Sequence, residues 1–196
     1  AGHEDDKADY SADVAALSAG GSATLAVLGY ADTGGRGIIA ASEDTGAFSD
    51  YVFGDGMISE VTSGAVADGS WGTLPSPDAD LGANWKAVAE AGGVDGSGVF
   101  SAESYDAMAL IILASQAAGS TDRAAIQAEV MNVANAPGRL CSAGGLGDCL
   151  KWISGGLVVD YVGATGVELD AGGTANGSYA EREVIGGVFT NVKIHK

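Results

Sequence analysis

Two residues stand where a small polar solute could be gripped. Tyr30 follows the apolar run 24–28 in Leu28-Gly29-Tyr30, and Asp55 follows Tyr51-Val52-Phe53 in Gly54-Asp55-Gly56. A phenolic hydroxyl offers a wall and a hydrogen bond, and a carboxylate offers a counter-ion for an ammonium group. If both runs are strands of a parallel sheet, both residues emerge at carboxyl ends, where such sheets bind ligands. A plainer reading fits the same residues: Tyr30 packs a loop and Asp55 caps a turn.

Catalytic constellations are scarce. The two histidines, His3 and His195, lie near the two ends of the sequence, so a Ser-His-Asp arrangement would be fortuitous. Residues 29–37, Gly-Tyr-Ala-Asp-Thr-Gly-Gly-Arg-Gly, lack both the Lys-Ser/Thr ending of a phosphate loop and the dinucleotide spacing. A carboxylate pair for glycosidase chemistry could be drawn from any of 26 acids, so their number carries no signal. No enzyme activity and no cofactor are expected. Asn176-Gly177-Ser178 is formally a glycosylation triplet and reads as a turn.

Cys141 and Cys149 are the only cysteines, separated by Ser-Ala-Gly-Gly-Leu-Gly-Asp. A metal site would need further Cys or His nearby, and the two histidines, His3 and His195, lie near the ends of the sequence. A local disulfide is the expected state, with two free thiols the alternative, and pairing favours an oxidising compartment. Among the aromatics, Trp85 and Trp152 lie on amphipathic segments and read as core, whereas Trp71 sits in a Gly-rich stretch. Phe100, just after Gly96-Ser97-Gly98, can project into a cleft or pack in the core.

The elements that must hold these groups follow from periodicity. Residues 11–19 read as a helix with Ser11 as N-cap, and 24–28 as a strand buried on both faces. Residues 33–42 read as a helix and 51–53 as a second strand, an order that signals a parallel sheet. Residues 63–80, rich in Gly, Ser, Pro and Asp, read as a crossover between lobes. Helices are expected over 81–91, 101–118, 122–134 and 146–154, with Asp122 and Ser101 as caps and Gly119 and Gly155 as stops. Residues 179–184 and 188–194 flank Gly186-Gly187, a hairpin signal.

The 196 residues carry 32 glycines, 46% hydrophobic and 18% charged residues, a globular composition with many turns. The net charge of −17 opposes nucleic-acid binding and favours solubility, including in salty surroundings. No apolar run reaches the roughly 18–20 residues of a membrane span. The sequence starts without an initiator Met, so a removed leader or a fragment is expected.

The chain resembles the carboxy-terminal half of the type I periplasmic solute-binding proteins, the branched-chain amino-acid-binding branch that serves ABC transporters. Residues 9–17, Val27-Leu28-Gly29-Tyr30, Gly34-Gly35-Arg36-Gly37-Ile38-Ile39, Phe53-Gly54-Asp55-Gly56-Met57 and Ser104-Tyr105-Asp106-Ala107-Met108-Ala109 carry the likeness. Residues 160–170, Asp-Tyr-Val-Gly-Ala-Thr-Gly-Val-Glu-Leu-Asp, are its most diagnostic stretch.

The resemblance implies an α/β, Rossmann-like, two-lobe fold, present here as an incomplete portion. Residues 1–69 would be a second-lobe segment, 70–176 a helix-rich return to the first lobe, and 177–196 a hairpin re-entering the second lobe. It further implies a periplasmic receptor that binds an amino acid or similar solute by lobe closure and delivers it to a membrane permease. Tyr30 matches the family's cleft tyrosine, Asp55 an acidic residue that meets the ligand ammonium, and Phe100 an apolar pocket residue. A ligand-sensing module of the same fold is the alternative. The pairing of Cys141 with Cys149 is not part of the likeness.

Overall fold

The computed structural model describes residues 1–58, 66 and 68–195, which divide into two compact units. One comprises Ala1–Leu74 with Tyr179–His195, the other Pro75–Ser178. Residues 63–65 and 67 of the expected crossover lie outside the described residues.

The first unit is built on a five-stranded sheet. Its strands, in spatial order, are β1 (Thr24–Val27), β2 (Asp50–Phe53), β3 (Trp71–Pro75), β8 (Tyr179–Ile185) and β9 (Val188–His195). β1 and β2 run parallel with Val27 beside Phe53, and β2 and β3 run parallel with Phe53 beside Gly72. Helices α1 (Ser11–Ser18) and α2 (Gly35–Thr45) lie against one another and supply Val14, Ile38 and Ile39 to a core shared with Leu25, Val27, Tyr51 and Phe53. Within that core the Tyr51 hydroxyl donates to Ser42 Oγ at 2.9 Å, which satisfies two polar groups that burial would otherwise strand.

Several expectations are corrected here. β1 is not buried on both faces: Leu25 and Val27 are buried, while Thr24 and Ala26 are exposed, and Leu28 beyond the strand is 78% exposed. It is an edge strand whose packed face carries every second residue. Residues 71–74, read as part of a crossover, are instead the middle strand of this sheet; Gly72 and Leu74 face its core side. The helix expected from residue 33 begins at Gly35, because Ala31–Thr33 first makes a 3-10 turn.

β8 and β9 form the expected antiparallel hairpin about Gly186-Gly187. Both glycines have positive φ, 62° and 79°, the conformation that a tight two-residue hairpin turn demands. Their amides donate to the two carboxylate oxygens of Asp68, each at 3.0 Å. Val184 N also donates to Ser70 O at 2.8 Å, so the hairpin is stitched to the chain leading into β3.

The second unit is helical around a two-stranded parallel sheet, β4 (Arg139–Ser142) and β5 (Val159–Gly163). Its helices are α3 (Ala79–Ala91), α4 (Ser101–Ala118), α5 (Arg123–Ala134) and α6 (Leu146–Ser154), and β6 (Glu168–Leu169) pairs with β7 (Ala175–Asn176). Asp122 caps α5 by accepting from Ala124 N and Ala125 N. Ser101 is not a cap but the first residue of its helix; its hydroxyl donates to Gly96 O and accepts from Trp85 Nε1. Neither is Ser11: α1 is preceded by Tyr10 and has no side-chain cap.

Cys141 on β4 and Cys149 on α6 form a buried disulfide with Cα atoms 5.9 Å apart. It sits in a core with Leu110, Leu113, Val133, Val159 and Tyr161. Trp85 is core, as expected; Trp152 is half-buried and carries the Arg139 guanidinium 3.9 Å above its ring.

Candidate functional site

Parallel register places the ends of β1 and β2 side by side, so the loops that leave them are neighbours. Tyr30, in extended conformation, precedes the Ala31–Thr33 turn, and its carbonyl accepts from Gly35 N at 3.0 Å. That bond fixes the backbone while the ring stays 70% exposed. Asp55 begins the second 3-10 turn, Asp55–Met57, and is also exposed; its Oδ1 accepts from Gly56 N at 2.9 Å.

Gly56 joins the two. A Cβ at that position would fall 2.5 Å from Gly29 O and 2.7 Å from Tyr30 Cδ1. Only a residue without a side chain lets the Asp55 loop approach the Tyr30 ring this closely. The two sequence candidates of this unit are thus brought together at one rim of the sheet, and Gly56 is the contact that does it. The basic side chain nearest in sequence, Arg36, is engaged by Asp32, with Nη2 and Oδ1 2.5 Å apart. What the two residues offer is an exposed aromatic ring with its hydroxyl and, on the neighbouring loop, a carboxylate that keeps oxygen lone pairs toward solvent.

His3 is a residue whose position sequence reasoning missed. It does not dangle at a terminus: its ring lies over Gly29 and Gly34, edge-on to Tyr10, so an imidazole flanks the loop that presents Tyr30. Its place depends on the path of residues 1–10, for which no periodic signal exists. His195 likewise has a partner, with Nε2 2.7 Å from Glu181 Oε2.

Phe100 belongs to the other unit. It immediately precedes α4 at φ 63°, a left-handed conformation unusual for an aromatic residue, and is 41% exposed. One and a half turns further along α4 lie Tyr105 and Asp106. The Tyr105 hydroxyl donates to Ala143 O just beyond β4. The buried Asp106 carboxylate accepts from the Tyr161 hydroxyl, Ala164 N, Thr165 N and the Thr165 hydroxyl, at 2.7–2.8 Å in each case. The first turns of α4 therefore clamp the carboxyl ends of both parallel strands of this unit. Asp106, fully satisfied and 3% exposed, positions the turn after β5 rather than reacting. Burial, then the adjacent Asp106 charge, pushes the Tyr161 phenol far above its ordinary range.

A cleft of about 510 Å³ in the same unit is lined by Pro137, Ile153, Leu157 and Val158 among others. It opens at the amino-terminal ends of β4 and β5 and includes neither Phe100 nor Asp106. Among the described residues no group of three or more His, Cys, Asp or Glu side chains is arranged to hold a metal. Among the described residues no helix is long and apolar enough to cross a membrane.

No family model and no curated protein matches the sequence. Solved structures do match. One is the leucine-binding protein LivK of Thermotoga maritima, with a TM-score of 0.64 and 17% identity over 96% of this chain and 49% of that one. Another is the solute-binding protein of an ABC transporter from R. palustris, solved in complex with benzoate, with a TM-score of 0.59 and 15% identity over 96% of this chain and 47% of that one. Both are binding proteins. The chain spans about half the length of the structures it matches and has, over that span, the fold of the type I periplasmic binding proteins.

Proposed function

On the premise of that fold, we propose that this chain is part of a periplasmic receptor of an ABC transporter, and that it binds an amino acid or similar small polar solute. The observation that carries the proposal is the juxtaposition of Tyr30 and Asp55 through Gly56 at adjacent strand ends. In this reading Tyr30 walls the site and hydrogen-bonds the ligand, Asp55 meets its ammonium group, and Phe100 lines the pocket for its apolar part. The Ala1–Leu74 and Tyr179–His195 unit acts as the second lobe and Pro75–Ser178 as the later part of the first. Ligand contacts to both lobes favour a closed state over an open one, and the closed form engages the membrane permease.

The chemistry of the pair favours one ligand class over another. A carboxylate at Asp55 attracts an ammonium group and repels a simple aromatic carboxylate such as benzoate, and the neighbouring Arg36 is already occupied by Asp32. An α-amino acid therefore suits this rim better than the benzoate found in the second structural neighbour. Isothermal calorimetry of the natural full-length polypeptide against the common amino acids, with benzoate as comparison, tests it. Saturable binding of an amino acid supports the proposal; no heat from any amino acid at millimolar concentration overturns its ligand class.

A further inference from the structure

The triplet Asn176-Gly177-Ser178 does not form the turn its composition suggests. Asn176 ends β7, paired across from Glu168 in the short β6–β7 hairpin, and the chain passes through Gly177 and Ser178 to β8. The hairpin loop before it is ordered by Asp170, whose Oδ1 accepts from Gly172 N at 2.8 Å and Thr174 N at 2.9 Å. Every residue from 170 through 177 is exposed, so a bulky substituent has open space on this strip.

Among the five asparagines, only Asn176 stands in an Asn-X-Ser/Thr triplet, and three of the other four have engaged side chains. Asn132 Nδ2 donates to Glu129, Asn135 bonds both the carbonyl and the amide of Leu169, and Asn191 Oδ1 accepts from Arg182. Asn176, like the exposed Asn84 outside any such triplet, makes no side-chain hydrogen bond with the described residues, and neither does the Ser178 hydroxyl two residues on. Both functional groups of an Asn-X-Ser acceptor are thus free, Asn176 at an exposed strand end and Ser178 half-buried just beyond it. The buried Cys141–Cys149 disulfide, in a different part of the unit, independently points to an oxidising, exported setting, the setting in which such acceptors are modified.

We propose that Asn176 is an acceptor for asparagine-linked glycosylation, with a lipid-linked oligosaccharide as donor. In the transfer a bond forms between Asn176 Nδ2 and the anomeric carbon of the donor sugar. The bond from that carbon to the lipid phosphate oxygen breaks, the lipid phosphate leaves, and the amide proton passes to a base of the transferase. No redox partner is needed. The inference is independent of which solute the protein binds.

The test is secretion of the full chain from yeast, followed by intact mass and tryptic peptide analysis. Cleavage after Lys151 and Arg182 gives a peptide in which Asn176 is the only asparagine. The expected result is a glycan-sized mass on that peptide, released by peptide-N-glycosidase in ¹⁸O water to leave a labelled aspartate at 176. N176Q and S178A should each abolish it without changing the circular dichroism spectrum. Loss in S178A separates glycosylation from the spontaneous deamidation to which an Asn-Gly pair is prone, since deamidation does not need the hydroxyl. Recovery of the peptide only in unmodified or deamidated form, from secreted and disulfide-bonded chain, overturns the proposal.

Discussion

The Tyr161 hydroxyl donates a 2.7 Å hydrogen bond to the Asp106 carboxylate, joining β5 to the first turns of α4 across 55 residues of chain. Around that bond the same carboxylate gathers two backbone amides and the Thr165 hydroxyl, so one side chain fixes the turn that follows β5. Asp106→Ala would leave these donors buried and unpaired. The expected cost is about 3–5 kcal/mol, measured as a fall in the urea midpoint without a change in slope. Asp106→Asn should cost less, because its carbonyl oxygen retains part of the acceptor set.

The same pair sets an alkaline limit. With its folded pKa raised, Tyr161 stays neutral in the native state after an unfolded tyrosine, near pH 10, has lost its proton. Above that pH the unfolded state binds fewer protons than the native one, so stability falls as pH rises. Denaturation midpoints at pH 9, 10 and 11 should decline for the wild-type chain. Tyr161→Phe should flatten the decline, though Tyr51 and Tyr105, also raised by burial, will keep part of it.

Gly56→Ala should act on binding more than on folding. The new methyl cannot share space with Gly29 O and the Tyr30 ring, so the two loops must separate. Ligand affinity of the full-length protein should fall about tenfold or more, while the melting temperature changes by only a few degrees. Unchanged affinity would dissociate the close approach of Gly56 to the Tyr30 ring from function.

Asp55→Ala should weaken an α-amino ligand by about 1.5–3 kcal/mol, the worth of a hydrogen bond to a charged group. Calorimetry with the amino acid and with its deaminated analogue gives the check. The loss should appear for the first and not for the second.

Reduction of Cys141–Cys149, or its replacement by two serines, should destabilise the chain by about 2–3 kcal/mol on loop entropy alone. Denaturation with and without reductant should show a difference in the wild type and none in the double serine variant.

What could be read from the sequence was local. Gly186-Gly187 marks its hairpin because turn chemistry is written in adjacent residues, and Asp122 marks the start of α5 for the same reason. The parallel pairing of β1 and β2 follows from the order of helix and strand signals, and with it the nearness of the Tyr30 and Asp55 loops. The Gly56 contact does not, because it depends on register and on the two 3-10 turns. β4 was hidden between helices: four residues long, with only Cys141 buried, it has no alternation to detect. β3 was hidden by its own composition, since Ser70 and Gly72 look like loop residues until Phe53 is placed beside them. Asp106 could be quoted within a motif but not given a task, because its partners lie 55 to 59 residues away.

The interrupted sequence of the first unit has a consequence in time. Its strands β1 to β3 leave the ribosome early, but β8 and β9, which complete the sheet, are made only after all of Pro75–Ser178. All of Pro75–Ser178 is therefore synthesised while β3 still waits for its neighbour. Until then β3 presents an open hydrogen-bonding edge, the kind of surface that pairs with other nascent chains. The strands that close it are thus made only after the second unit, and slow or truncated translation should show itself first as aggregation.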